Sequence, residues 1–157
     1  MATLTVTITE DLTLNGIQQG GTVTDTEASI ASVYKRIITC APNVDTTIAS
    51  FQADPHTASG PHFDRETTKY IRVTNLSSDD VVSLSLQIAA AGGTSAADSC
   101  GISLQAGKSF ILHNCNDGIA VNSAAATVIT TLLDLESIII DSHASNAQSI
   151  ELFVAGT

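Results

Sequence analysis

Strict alternation of apolar and polar residues is the feature of this sequence that most restricts its fold. Near the amino terminus, "TLTVTIT" places Leu4, Val6 and Ile8 between threonines. Because successive side chains of a strand point to opposite faces, this pattern predicts a strand with one buried face. The letters "EDLTL" continue the alternation, and we therefore predict a strand over residues 3–14.

Similar segments recur along the chain at intervals of roughly 10–15 residues. Further strands are predicted at 29–40, 46–51, 68–75, 80–89, 101–104, 109–114, 126–133, 137–143 and 149–157. The segment 29–40 also fits a helical stripe, but its β-branched residues and the following Pro42 favour a strand. Turn-forming residues between neighbouring segments predict three hairpins, which pair 68–75 with 80–89, 101–104 with 109–114, and 137–143 with 149–157.

Short strands without alternating helices are typical of two-layer β proteins. The sequence therefore predicts an all-β fold, an antiparallel β-sandwich or jelly roll of about nine or ten short strands. No linker divides the chain, so residues 1–157 are predicted to form a single all-β domain. Aromatic residues make up only 4% of the chain, so Val, Ile, Leu and Ala must fill the core.

Charge and hydropathy exclude two classes of partner. The formal net charge of −10 predicts an acidic surface that repels phosphate backbones, so we expect no nucleic-acid partner. No apolar run approaches the roughly 18 residues of a membrane helix, and we expect no membrane partner. The alternating pattern starts at once, without a secretion signal, and a soluble protein made in the cytoplasm is expected.

The three cysteines, Cys40, Cys100 and Cys115, form no CxxC pair. Their number and spacing argue against a disulfide framework and against a zinc ribbon. If Ala106-Gly107 is a two-residue hairpin turn, Cys100 and Cys115 lie diagonally, roughly 7 Å apart, too far to bridge. We expect buried free thiols, although a bulge or a longer turn would allow the disulfide.

The stretch "ADPHTASGPHFDRE", residues 53–66, holds the strongest candidates for metal ligands: His56, His62 and Asp64, to which His113 could add a nitrogen. The cupin pattern of jelly-roll metal sites needs a His-x-His pair and a later histidine after a Pro-x-Gly turn. Here "PHFDRE" has one histidine of the pair, and "LQAGKSFILHN" lacks the proline. We therefore predict no metal and no cofactor, and a loop between strands stiffened by its two prolines.

Nothing in the sequence predicts an active site. There is no Gly-x-Ser-x-Gly elbow, and "AAAGGTS" lacks the Lys-Ser/Thr end of a P-loop. Cys115 lies two residues from His113, but strand alternation places both on one face, which is expected to be the core. We predict that the protein is not an enzyme and has no catalytic residues.

The basic residues Arg65, Lys69 and Arg72 form one cluster. In so acidic a chain they predict either intermolecular salt bridges or a solvated strand face. The strand 3–14 and the loop 53–66 are the elements that could extend from a sandwich to reach a partner. The candidate partner-contact residues are Arg65, Lys69, Arg72, Phe63, Leu4 and Val6.

Three strings, "KYIRVTNLSSDD", "LQAGKSFIL" and the terminal "IELFVAGT", resemble small β-sandwich virion proteins of tailed bacteriophages. The resemblance covers about the last 90 residues in pattern and implies a capsid decoration (cement) protein, a non-enzymatic subunit that binds the outer capsid surface and stabilises the head. It also implies the major capsid protein or another virion protein as partner, a homo-oligomer with a trimer favoured, and a location in the virion after assembly in the host cytoplasm.

Two alternatives remain open at the level of the sequence. A phage tail or head–tail connector component would carry the same strings. A metal- or carbohydrate-binding jelly-roll module would place its site in the loop 53–66, where Phe63 beside His62 offers a ring for stacking on a sugar.

Overall fold

The computed structural model describes residues 1–53, 62–89, 96–113, 129, 132–142 and 145–157. These residues form thirteen strands and no helix, so the predicted all-β class is confirmed. Within the described ranges, no helix has the length and apolar character needed to cross a membrane.

The strands are β1 (Ala2–Thr9), β2 (Thr13–Leu14), β3 (Ile17–Gln18), β4 (Thr22–Ile30), β5 (Ser32–Cys40), β6 (Thr46–Gln52), β7 (His62–Asp64), β8 (Thr68–Asn75), β9 (Val82–Ala89), β10 (Ala96–Leu104), β11 (Ser109–His113), β12 (Leu135–Asp141) and β13 (Gln148–Gly156). Ten of them have five or more residues, and the other three have two or three residues. The predicted strand 3–14 ends at Thr9, and the segment 29–40 is extended, with one residue between β4 and β5. The predicted strand at 126–133 lies mostly outside the described residues.

Two larger sheets form a sandwich. The front sheet has the strand order β11-β8-β13-β5, and the back sheet has the order β10-β9-β12-β6-β7. All neighbours are antiparallel except the short β7, which runs parallel to β6. Two small two-stranded sheets, β1-β4 and β2-β3, precede the sandwich in the chain.

The strand order of the sandwich is that of a double-sheet jelly roll rather than a closed barrel. The sandwich has eight long strands, β5, β6 and β8 to β13. When these are numbered 1 to 8 in chain order, the front sheet has the order 6-3-8-1 and the back sheet has the order 5-4-7-2. This is the order produced when a long antiparallel hairpin is wrapped into two facing sheets. The prediction of a β-sandwich or jelly roll is therefore confirmed.

The core lies between the two sheets. Strand β9, "VSLSLQIA", shows the alternation most clearly, because its apolar residues are buried and its serines are half-exposed. The largest fully buried side chains come from both sheets: Phe51, Ile48, Leu84, Ile88, Leu135, Ile138 and Ile140 from the back, and Ile71, Val73, Ile150 and Leu152 from the front. Branched aliphatic residues thus form the core that the low aromatic content requires.

The three predicted hairpins are wrong, and the jelly-roll order explains why. Each predicted hairpin consists of two strands that follow one another after a short connection, but the two strands lie in different sheets. The pairs are β8 and β9, β10 and β11, and β12 and β13. The predicted turn at Ala106-Gly107 does exist, with Gly107 at a φ of 68°. It carries the chain from the back sheet to the front sheet instead of closing a ladder.

Asn75, at the end of β8, holds two of these crossings together. Its side-chain amide donates hydrogen bonds to the carbonyl oxygens of Asp80, at 2.8 Å, and Leu104, at 3.1 Å. Its side-chain oxygen accepts from the backbone N–H of Ser77, and its backbone pairs with Gly107 and Lys108. Asn75 is fully buried, so one polar side chain satisfies backbone groups of both connections.

The cysteines are placed differently from the hairpin prediction. Cys100 is half-buried in β10 of the back sheet, whereas β11 belongs to the front sheet, so the predicted hairpin register between these strands does not occur. Cys40 is buried at the end of β5, and both Cys40 and Cys100 are free thiols. Cys115 lies outside the described residues.

Candidate assembly surface

A two-stranded ribbon, made of β1 and β4, precedes the sandwich and lies against the outer face of the front sheet. Its register places Ile8 opposite Val23, Val6 opposite Asp25 and Leu4 opposite Glu27. Because directly opposed residues share a face, the ribbon has one face of mixed apolar and acidic residues. The other face carries threonines only: Thr5, Thr7, Thr9, Thr22, Thr24 and Thr26.

The threonine face is turned to solvent. Thr7 and Thr24 share a hydrogen bond between their hydroxyl groups at 3.3 Å, and Thr22 donates to Thr9 at 3.4 Å. Threonine combines a β-branched carbon with a polar tip, so it keeps the ribbon extended without burying this face.

The mixed face covers aromatic residues of the front sheet near the base of the ribbon. Leu4 and Val6 pack, together with Phe153, against a small cluster of Ile30, Tyr70 and Ala155. The rings of Tyr70 and Phe153 meet edge to face, with centroids 5.8 Å apart. Leu4 and Val6 were predicted as contact residues, and here they hold the ribbon to its own sandwich.

Farther along the ribbon, an open groove separates β1 from the front sheet. The groove has a volume of about 410 Å³, and it is lined by residues 4–8 of β1 and by Tyr70, Arg72, Ile111 and Phe153. Ile8 and Val23, beyond the contact with the sheet, are exposed. The ribbon is therefore anchored at its base, and its far end is solvated.

A small hairpin, the tip hairpin of β2 and β3, extends the ribbon. Its turn is Asn15-Gly16, with φ angles of 53° and 78°, the left-handed values that a two-residue type I′ turn requires. The sequence carries the signal, because Asn-Gly is the pair that favours such turns, but the strand predicted over residues 3–14 stops before the turn and β3 was not predicted. Leu14 and Ile17 oppose each other across the hairpin and are 57% and 63% exposed.

Apolar side chains presented at the end of a projecting element are typical of contact surfaces. Leu12 is exposed beside the tip hairpin, and Ile8 and Val23 are exposed at the end of the ribbon next to it. We call these five residues, Ile8, Leu12, Leu14, Ile17 and Val23, the apolar tip.

Two of the basic residues predicted to contact a partner have carboxylate partners within the chain. Nη1 of Arg65 lies 2.6 Å from Oδ2 of Asp134 and 3.1 Å from Oε1 of Glu136, and its side chain is 15% exposed. Arg72 pairs with Glu151, which also lies 3.3 Å from Nζ of Lys35. An intermolecular role for Arg65 or Arg72 would compete with these pairs.

The segment 53–66, predicted as a loop, contains the strand β7 at His62–Asp64, and its described residues divide between the interior and the surface. Phe63 packs against Phe51 and Tyr34, with ring centroids 5.7 Å and 5.2 Å away, and contributes to the core. His62 shares a hydrogen bond with Gln52 at 3.2 Å, and Asp64 accepts from the backbone N–H of Glu66. These contacts assign His62 and Asp64 local structural roles.

The remaining predicted residues give less information. Lys69 is half-buried in β8. His56 lies outside the described residues, so the proposed ligand set of His56, His62 and Asp64 is represented by two members only. Across the described ranges, these two do not belong to any group of three metal-ligating side chains.

A different set of ionisable residues meets where the ribbon crosses the front sheet. Nδ1 of His113 lies 3.3 Å from Oδ2 of Asp25, and Nε2 lies 3.3 Å from Oε1 of Glu27. The imidazole ring also meets the Tyr70 ring edge to face, at 5.7 Å between centroids. Sequence reasoning missed this cluster, because only the docking of the ribbon brings β4 and β11 together.

Burial raises the pKa values of two side chains, Tyr70 under the ribbon and Cys40 in the core. Burial raises the pKa of the Tyr70 hydroxyl, and the nearby Arg72 charge partly opposes the shift. Burial likewise raises the pKa of the Cys40 thiol, against a smaller opposite effect of a hydrogen bond with Thr46. Both groups stay neutral at physiological pH.

The fold and surface together define a jelly-roll β-sandwich with an N-terminal ribbon and an exposed apolar tip. Comparison with protein-family models, with curated proteins and with solved structures finds no match for this chain.

Proposed function

We propose that this protein is a non-enzymatic structural subunit of a virion, a capsid decoration protein that binds the outer capsid surface and stabilises the head. The observation that carries the proposal is the apolar tip, presented on a ribbon outside a sandwich that has its own complete core. Such an arrangement separates the part that folds from the part that makes contact. The proposed partners are the major capsid protein and further copies of this chain.

The jelly-roll topology supports the proposal by analogy. Double-sheet jelly rolls are the fold of many viral capsid domains, but they also occur in lectins and cupins, so the fold alone does not select one function. Phe63, the ring that the carbohydrate alternative would use, packs in the core. This placement favours the assembly function over sugar binding.

Repetition supplies the affinity that one small contact lacks. A closed oligomer, with a trimer as the proposed form, presents several apolar tips at once, so the second and third contacts become intramolecular. The acidic surface then favours capsid regions that carry basic side chains.

Cosedimentation tests the proposal. The purified protein is mixed with purified heads, and separately with purified tails, of the virus that encodes it. Binding to heads with saturation supports a decoration protein, whereas binding to tails alone would select the tail or connector alternative. Binding to neither would contradict a virion role.

Substitutions locate the contact. The double variant Leu14→Thr/Ile17→Thr places two β-branched residues, which favour strands, in the tip hairpin but removes two apolar anchors, and we expect at least about tenfold weaker binding. The matched control is Val33→Thr/Ile37→Thr, which changes an equally exposed apolar pair on β5. If only the control variant loses binding, the contact surface lies on β5 and not on the apolar tip.

A further inference from the structure

We propose that His113, Asp25 and Glu27 form a binding site for a divalent transition-metal ion, which fastens the N-terminal ribbon to the sandwich. Asp25 and Glu27 lie on β4 of the ribbon, and His113 is the last residue of β11 in the front sheet. One ligand atom from each of the three side chains lies within 4.8 Å of the other two. This inference is independent of the proposed virion function.

The contact between His113 and Glu27 has the spacing of two ligands rather than of a hydrogen bond. The Nε2 atom is buried and makes no hydrogen bond, although Oε1 of Glu27 is 3.3 Å away. Charge-assisted hydrogen bonds are shorter, about 2.7–2.9 Å. Two atoms bound to one tetrahedral zinc ion at 2.0–2.1 Å are separated by about 3.3–3.4 Å.

The third ligand, Asp25, must rotate to reach an ion held by Nε2 of His113 and by Glu27. The Asp25 side chain is 62% exposed, and its Oδ1 accepts the backbone N–H of Thr26 at 2.8 Å. Oδ2 lies 3.3 Å from Nδ1, the other ring nitrogen, so the carboxylate must rotate toward Nε2 to share one ion with Glu27, while the Thr26 hydrogen bond holds Oδ1. Contacts of this kind are what positions the ligands of metal sites. Tyr70 likewise restricts the plane of the His113 ring.

The ligand chemistry selects the class of ion. One imidazole nitrogen with two carboxylate oxygens suits Zn²⁺ and similar first-row ions, with water in the fourth position. Ca²⁺ and Mg²⁺ prefer ligand sets made of oxygen only. The two carboxylates together carry a charge of −2, and a divalent ion cancels their mutual repulsion.

The position of the site gives the ion a mechanical role. The ribbon joins the sandwich through the single residue Ala31, between β4 and β5. Apart from that link, the ribbon contacts the front sheet through the packing of Leu4, Val6 and Ile30 and through the cluster at His113. An ion held by β4 and β11 ties the ribbon to the front sheet at a second point.

Titration of the full chain with Zn²⁺, after treatment with a chelator and dialysis, tests the proposal. Isothermal calorimetry should detect one saturable site per chain, and excess Mg²⁺ should not displace the ion. The variants Asp25→Asn/Glu27→Gln and His113→Gln should each bind at least about 100-fold more weakly, since even an outer-shell change often costs 10–100-fold. Hydrogen exchange should show slower exchange in residues 22–30 when Zn²⁺ is added to the wild type.

Matched controls separate this site from adventitious binding. The variants His62→Gln and Glu66→Gln remove a histidine and a carboxylate elsewhere, and both should bind Zn²⁺ as the wild type does. Circular dichroism confirms that each variant is folded. The proposal is overturned if the wild type shows no saturable site, if the Asp25→Asn/Glu27→Gln variant binds as tightly as the wild type, or if His62→Gln is the variant that loses binding.

Discussion

At the scale of single residues, buried polar groups decide how the strands are connected. Asn75 satisfies the carbonyl oxygens of Asp80 and Leu104, which belong to two different crossings between the sheets. Gln148 has a similar role at the start of β13, where its amide donates to Asp80 at 2.8 Å and to the Asn146 carbonyl at 3.1 Å. Both side chains therefore stabilise the turns that carry the chain between the sheets.

Replacing Asn75 with alanine is expected to lower the free energy of unfolding by about 3 kcal/mol, because one buried and one partly buried carbonyl oxygen lose their donors. Urea denaturation followed by circular dichroism measures the change. The neighbouring variant Thr74→Ala is the control, since Thr74 only shares an exposed hydrogen bond with Ser109 and should cost less than about 1 kcal/mol. Equal effects of the two variants would contradict the role given to Asn75.

The raised pKa of Cys40 predicts a pH dependence. A thiol whose pKa is higher in the folded state favours folding fully below its ordinary value of 9.0, and this contribution is lost as the pH rises through the folded value. The free energy of unfolding should therefore fall above about pH 9, at up to about 1.4 kcal/mol per pH unit for this one group. Urea denaturation of the wild type and of Cys40→Ala between pH 8 and 11 checks this. An identical slope in the two proteins would show that Cys40 is not responsible.

At the scale of elements, the ribbon and the tip hairpin are joined by a tight backbone contact. A Cβ atom on Gly20 would lie 1.9 Å from the carbonyl oxygen of Glu10, whereas a Cβ on Gly21 would meet nothing within 4 Å. The backbone N–H of Glu10 donates to the Gly21 carbonyl at 2.8 Å, and that of Gln19 donates to Leu12 at 2.7 Å. This junction determines the direction in which the apolar tip projects.

The variant Gly20→Ala should open the junction, since backbone cannot yield to a 1.9 Å contact as a flexible side chain would. We expect the amide resonances of residues 10–21 to shift and those of the sandwich strands to stay unchanged. Gly21→Ala is the matched control and should leave the spectrum nearly as it is. If Gly20→Ala also leaves residues 10–21 unperturbed, the junction is not as tight as the structure indicates.

At the scale of the whole molecule, stability is distributed unevenly between the sandwich and the ribbon. The sandwich buries its core between two sheets of four and five strands. The ribbon has two strands, and such ribbons are marginally stable on their own, so its order depends on the contact with Tyr70 and Phe153. The part that we propose makes contact is thus the part that opens most easily.

Native-state hydrogen exchange should resolve this difference. Amides of β1 and β4 are expected to exchange through local opening, at least about a hundredfold faster than those of β8 and β13, which corresponds to about 2.7 kcal/mol or more. The variant Phe153→Ala should widen the gap by removing the packing under the ribbon. Uniform protection across the ribbon and the sandwich would mean that the two unfold as one unit.

Local pattern alone was sufficient for the class of the fold and for most strands. Alternation in segments such as "VSLSLQIA" identifies the buried face directly, because the side-chain period of a strand is two and needs no knowledge of neighbours. Leu4 and Val6 were predicted as candidate partner-contact residues, and in the structure they pack on the sandwich. The virion function remains a proposal, because no pattern in the sequence encodes a partner.

Only the tertiary structure decided which strands are neighbours. A short connection contains the same types of polar residue whether it closes a hairpin or crosses between sheets. For this reason β8 and β9 were expected to pair, although they do not. The same holds for the cluster of His113, Asp25 and Glu27: ligands from distant strands meet only when the ribbon docks. The alternation of apolar and polar residues is a property of neighbouring positions in the sequence, whereas strand order and side-chain clusters depend on how the sheets pack.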